Sequence, residues 1–301
     1  MTDTSPSPQV AQNTRGIVLM LVAMALFAIA DAFLKLSAGV MGPGLTALWI
    51  MAGSAIVFAC IARAQGHRLW HPALKSPAVL GRAAAETVGS FGMITAFAFA
   101  PLSTTIAILQ ASPLVVTAMA AMFLGETVGW RRWSAVAVGF VGVLLIVRPG
   151  TEGFNVALLW AVLGTIGLSA RDFFTRLTPR DVPTTVLSAF TIAAVVPSVF
   201  VWALMEGGGL IPEDPNWFWI VGMIGFGCGG YFAITQAMRV GDISAVAPFR
   251  YSRLIFAGIL GVAIFGERPD IWMIAGSMLI LASGLYAMLR ERNLSARRTS
   301  D

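Results

Sequence analysis

Two acids in apolar surroundings are the first residues that could do chemistry. Asp31 lies in AIADAFLKLS (28–37) and Asp172 in SARDFFTRLT (169–178). Each is followed by a Phe two residues on and a cation four residues on, Phe33 and Lys35 in one case, Phe174 and Arg176 in the other. Glu86, Arg171, Arg250 and Arg253 lie in similar apolar stretches. A charge at the centre of a membrane helix costs about 3 kcal/mol. Such residues therefore face a bundle interior or a watery cavity, and they tend to pair.

The chemistry open to this set is recognition of a polar ligand. Arg250 and Arg253 are three residues apart, which puts them on one helix face. Two guanidiniums there suit a planar or anionic group through fork-like hydrogen bonds. Pro248 just before them favours a kink, which frees carbonyls for a ligand. Gln110 and Tyr251 occupy matching places in two spans and complete the candidate substrate-binding set of Asp31, Glu86, Gln110, Arg171, Asp172, Arg250, Tyr251 and Arg253. A blander reading competes at each position. Asp31 with Lys35, and Asp172 with Arg176, fit i,i+4 pairs that neutralise one another. Asp172 lies at a depth similar to Arg250 and could pair with it as well as with Arg176. Glu86 and Arg171 fit partners of neighbouring helices, and Trp49, Phe91, Tyr231, Phe232 and Phe249 fit packing.

The elements that must position these groups are apolar runs of about 20 residues, each long enough for a hydrocarbon core of about 30 Å. The chain has 301 residues, 57% hydrophobic and only 12% charged, whereas a soluble chain carries about a quarter charged residues. The fold class is an all-α integral membrane protein with about ten transmembrane helices, near 16–36, 43–63, 83–101, 103–124, 132–148, 156–177, 183–204, 217–238, 243–266 and 270–290. Gly225 and Gly229 form a GxxxG helix-packing signal.

Orientation follows from Lys and Arg in the loops. With a cytoplasmic N-terminus, the inner segments hold Arg15, Arg63, Arg68, Lys75, Arg82, Arg131, Arg132, Arg176, Arg180, Arg239, Arg290, Arg292, Arg297 and Arg298. The outer segments hold only Lys35, Arg148 and Arg268, and the 205–216 loop has three acids, Glu206, Glu213 and Asp214. Both termini are expected on the cytoplasmic side of the inner membrane, with Asp31 toward the outer face and Asp172 toward the inner. The N-terminus does not read as a secretory signal.

The two acids are 141 residues apart, and that offset recurs. It relates Glu126 in LGE to Glu267 in FGE, and GSFGMITA (89–96) to GYFAITQA (230–237). It drifts by one in the last span, where Gly142 fits Gly284. Five spans per copy is an odd number, so the second copy is inverted. Inverted repeats are the mark of transporters that work by alternating access. The expected organisation is a tail (1–15), a first repeat (16–148), a linker (149–155), a second repeat (156–290) and a basic tail (291–301).

The stretch AILQASPLVVTAMAAMFLGETVGWRRWSAVAVGFVGVLLIVRPG (107–150) resembles the core of an EamA domain, and ISAVAPFRYSRLIFAGILGVAIFGERPD (243–270) resembles the matching part of a second. This is the ten-helix branch of the drug/metabolite transporter superfamily, and the resemblance covers roughly 16–290. It implies secondary transport of a small metabolite. APFRYSRLIFA combined with FGERPD is similar to a group that includes bacterial riboflavin transporters, which makes riboflavin uptake the leading expectation. Export of amino acids, related metabolites or drugs is the alternative; an intramembrane enzyme or receptor is a remote one. Many EamA members carry an Arg in the second span, where this chain has ALWIMAGS (47–54).

No P-loop, nucleophile elbow or Cys/His cluster is present, which disfavours ATP-driven transport and catalysis. Cys60 and Cys228 are isolated and read as small buried hydrophobes. His67 and His71 have metal-compatible spacing but no third ligand nearby. The expected partners are a small-molecule substrate and the lipid bilayer, with no cofactor, metal or nucleic acid. The net charge of +5 comes from cations between the apolar runs.

Overall fold

The computed structural model describes residues 8–124, 129–151, 154–179, 181–207, 209–212 and 216–298, with side chains from 12 to 289, 243 and 244 excepted. Glu126, Arg180, Glu213 and Asp214, used above for the repeat and the charge bias, lie outside these residues, as do the side chains of Arg290, Arg292, Arg297 and Arg298.

The described chain is helical throughout. The first half contains α1 (Pro8–Met41), α2 (Pro43–Ala64), α3 (Pro77–Phe99), α4 (Leu102–Leu109), α5 (Ser112–Phe123) and α6 (Trp130–Val147). The second contains α7 (Ala157–Leu177), α8 (Thr184–Met205), α9 (Trp217–Val240), α10 (Ile243–Val246), a 3-10 turn (Ala247–Tyr251), α11 (Ser252–Phe265) and α12 (Ile271–Arg298). Prolines open α2 and α3, where a missing N–H costs nothing. Ser76 caps α3 by accepting from the Val79 N–H at 3.4 Å.

Nine spans among the described residues are long and apolar enough to cross a membrane. The tenth crossing is α3, less apolar because it carries Arg82 and Glu86. The expected fourth span is not one helix. It breaks at Gln110–Ala111 into α4 and α5, just before Pro113. The ninth breaks in the matching place around Pro248. One proline-linked interruption was expected and two are found, one in each repeat.

Helices pair across the repeats: α1 with α9, α3 with α7, α2 with α8 and α6 with α12. Glycine sets the α3–α7 distance. A Cβ on Gly92 would sit 2.6 Å from the Gly164 Cα, and one on Gly167 would sit 2.7 Å from the Gly89 Cα. Small residues let membrane helices approach this closely. The expected GxxxG is not a seam: a Cβ on Gly225 meets nothing within 4 Å, and one on Gly229 only touches Leu26 at 3.5 Å. Ile56, Phe140, Val201 and Ile259 are exposed, as lipid-facing side chains are.

The start of α1 and the end of α12 lie at one end of the bundle, here the near face. Asn13 donates to Asp242 Oδ2 at 3.2 Å and accepts from the Asp242 N–H at 2.9 Å, fixing α1 beside the entry to α10. The space between the repeats is filled in its far half by Leu34, Phe97, Leu102, Ile106, Val195, Val199 and Met223, all buried.

Candidate substrate site

Below that plug the two broken spans face each other. A cavity of 670 Å³ lies there, lined by Gln110, Arg171, Asp172, Arg250, Tyr251 and Arg253 from the expected set, with Phe27, Ser112, Thr117, Arg176, Tyr231 and Met238 among the others. It opens at the near face, where Arg176 is exposed. A second cavity of 220 Å³ is lined by the remaining two expected residues, Asp31 and Glu86, with Phe27, Ser54, Phe58, Cys228 and Tyr231.

The two cavities are divided by ion pairs. Arg253 at the start of α11 donates to Asp31 Oδ2 from Nη2 at 2.6 Å and from Nε at 3.1 Å, and lies over the Phe27 ring at 5.1 Å. Arg171 donates to Glu86 Oε1 at 3.3 Å and to Asp172 Oδ1 at 2.8 Å. Each partition therefore shows an acid to the smaller cavity and a guanidinium to the larger one. Phe27 and Tyr231 line both. The eight expected residues form one connected region.

Several expected pairings are replaced. Asp31 takes Arg253 and not Lys35. Lys35, one turn farther along α1, instead donates to the Phe97 carbonyl at 3.2 Å and to the Ala100 carbonyl. Asp172 takes neighbouring Arg171, not Arg176 or Arg250. Among the described residues Arg176 and Arg250 have no carboxylate within ion-pair distance. The physical reason is burial. Asp31 and Glu86 are each 7% exposed, so they take the cations that neighbouring helices bring inside. Asp31 was expected toward one face. Since α1 runs on to Met41, Asp31 lies ten residues, about 15 Å, from the helix end and so near mid-depth.

Two polar groups of the expected set are weakly partnered. The buried Tyr251 hydroxyl finds no hydrogen-bond partner among the described residues. Its oxygen lies where a Cβ on Gly284 would fall, so glycine there makes room for it. Gln110 Nε2 holds only a long 3.4 Å bond to the Arg250 carbonyl. Of the aromatics, Phe91 stacks on Trp202, Trp49 meets Trp217 edge-on, and Phe232 is exposed. Cys228 lines the smaller cavity, while Cys60 is exposed and so is not the buried hydrophobe expected. His71 Nδ1 accepts from the Ala73 N–H and its Nε2 lies 3.5 Å from Asp181.

Arg82 as a buried residue and the contacts of Lys35 escaped the sequence reading. Arg82, assigned to a loop, is buried in α3, donates to Thr175 Oγ1 at 2.9 Å and to Thr191, and lies 4.0 Å from Glu86. Its i,i+4 spacing to Glu86 was the available signal. Lys35 ties α1 to the end of α3 at the far side; its signal was the match to Arg176.

The EamA-like transporter family matches residues 14–148 and again 155–289, two matches offset by the same 141 residues as the paired acids. The chain is 27% identical to an S-adenosylmethionine uptake transporter of Rickettsia felis over 214 residues, 69% of this chain and 71% of that protein. It is 29% identical to a riboflavin transporter of Rhizobium johnstonii over 215 residues, 70% of each. A solved structure at 19% identity superposes with a TM-score of 0.62 over 94% of this chain and 98% of its own, a likeness of fold. Its two matched halves, packed around one shared cavity, make this chain a member of the EamA-like transporter family.

Proposed function

We propose that this protein is a secondary transporter that takes up a small polar metabolite across the inner membrane by alternating access, with both termini cytoplasmic. The observation that carries the reading is the 670 Å³ cavity between the repeats, open at one face and plugged at the other. Its volume is in the range of about 300–1,000 Å³ usual for drug-sized ligands. Its lining joins a hydrogen-bonding amide and phenol, Gln110 and Tyr251, to the cations Arg250 and Arg253. Such a mix suits a ring-bearing polar compound better than a simple ion. Riboflavin is the substrate favoured by APFRYSRLIFA combined with FGERPD and by the relatives that carry that name; S-adenosylmethionine is the second candidate, likewise from its named relatives.

Purified protein in proteoliposomes tests both. Radiolabelled riboflavin and S-adenosylmethionine are offered separately, and initial uptake is compared with empty vesicles. Saturable uptake of one, competed by the unlabelled compound, supports the reading. Uptake of neither above background removes both candidates. Counterflow of a panel of amino acids in the same vesicles tests the export alternative.

A further inference from the structure

The two faces of this bundle are related by the repeat, yet only one is shut. At the far face α1 packs on α3, and Lys35 donates to the carbonyls of Phe97 and Ala100, the last turn and the cap of α3. The same offset of 141 carries Lys35 to Arg176, Phe97 to Met238 and Ala100 to Gly241. Arg176 is on α7, and Met238 and Gly241 are the last turn and the cap of α9. At this face Arg176 and Met238 both line the large cavity. Arg176 is exposed and makes no hydrogen bond or ion pair among the described residues.

The acceptor end is already built. Ala100 and Gly241 cap their helices in the same extended conformation, φ −119°, ψ 162° and φ −104°, ψ 161°. Both donate their own N–H four residues back, to Ala96 and Ala237. The last carbonyls of a helix lack intrahelical partners and carry partial negative charge, so each end is a natural seat for a cation.

We propose that Arg176 is the latch of the opposite state. When the cavity shuts at the near face, its guanidinium moves out of water and donates to the Met238 and Gly241 carbonyls, as Lys35 now does to Phe97 and Ala100. Because α1 is fastened to α9 and α3 to α7, the two cross-repeat pairs rock against each other as bodies. Bringing α7 to α9 then lifts α1 from α3 and frees Lys35. One latch opens as the other closes, and the cavity is exposed to one side at a time.

This inference rests on the alternating-access reading above, and its test is independent of any substrate. Nitroxide labels are placed at Leu177→Cys and Arg239→Cys, exposed sites at the near ends of α7 and α9, in a Cys60→Ala, Cys228→Ala background in lipid nanodiscs. Electron–electron resonance distances then report the near face. Wild type is expected to show a long and a short population. Arg176→Gln should deplete the short population about tenfold, the size of one lost charge-assisted interaction. Arg176→Lys should retain it, and Lys35→Gln should enrich it. An Arg176→Gln distribution identical to wild type, or shifted the same way as Lys35→Gln, overturns the proposal. A single distance that none of the three variants alters overturns it too. Uptake by the unlabelled protein is scored separately, so switching without uptake of any probe removes the substrate candidates and leaves the latch standing.

Discussion

Replacing Asp31 by Asn removes one charge from the division between the two cavities and leaves almost the same shape. In the native protein a single oxygen, Oδ2, accepts both Arg253 bonds, at 2.6 and 3.1 Å. The two side chains are 10% and 18% exposed, so water replaces little of what Asp31 supplies. Breaking a fully buried pair costs about 3–5 kcal/mol, most of it from the cation left uncompensated. The Phe27 ring at 5.1 Å offsets about 1 kcal/mol of that, since a ring face attracts a desolvated guanidinium. A net loss of about 2–4 kcal/mol follows. Removing the cation as well, in Asp31→Asn/Arg253→Met, should restore much of it, because no buried charge then lacks a partner. The assay is thermal melting in detergent for the wild type, the two single variants and the double. Each single should melt below the double. If the losses add, so that the double is the least stable of the four, the two residues do not act as a pair and the division described here is wrong.

Other consequences are equally direct. Arg253→Lys keeps the charge but loses the fork, so Asp31 stays neutralised while a planar ligand is held less well; the apparent uptake constant should rise about tenfold with little change in melting. Gly284→Ala places a methyl on the Tyr251 hydroxyl; uptake should fall while the α6–α12 seam, measured by melting, changes little, and an unaltered uptake constant would remove Tyr251 from the site. Gly92→Ala drives a methyl into the α7 backbone at Gly164 and should lower stability by about 1–3 kcal/mol, read as melting or yield of monodisperse protein. An impermeant thiol reagent on intact cells should label Gly209→Cys and spare Gln65→Cys in a cysteine-free background; the reverse pattern would invert the membrane orientation.

The number of crossings and the repeat could be read from the chain because both are written in hydrophobic length and in pairs such as Asp31 and Asp172. The six charged residues of the expected set, which line the two cavities, could be picked out because charge is conspicuous in apolar sequence; Gln110 and Tyr251 came from the repeat offset. The partners of those charges could not. Local spacing offered Lys35 to Asp31, but the structure gives Arg253, 222 residues away, because helix pairing decides which cation arrives at mid-depth. Arg82 was lost to a loop because a charged pair in α3 masked its membrane character. The break at Gln110 was missed because Pro113 comes after the interruption and reads equally well as a helix start. The seam of Gly89, Gly92, Gly164 and Gly167 was hidden because spacing alone does not say which glycine meets a backbone.

That seam bears on how such a protein can change over evolutionary time. Where α3 crosses α7, main chain rests on main chain, so the scaffold's dimensions there do not depend on any variable side chain. Residues facing the cavity can then be exchanged without disturbing the framework that holds them. A lineage is free to exchange cavity-lining residues such as Gln110, Arg250 and Tyr251 while the joints stay in register. Homologues sharing under a third of their residues can thus keep one machine and carry different freight.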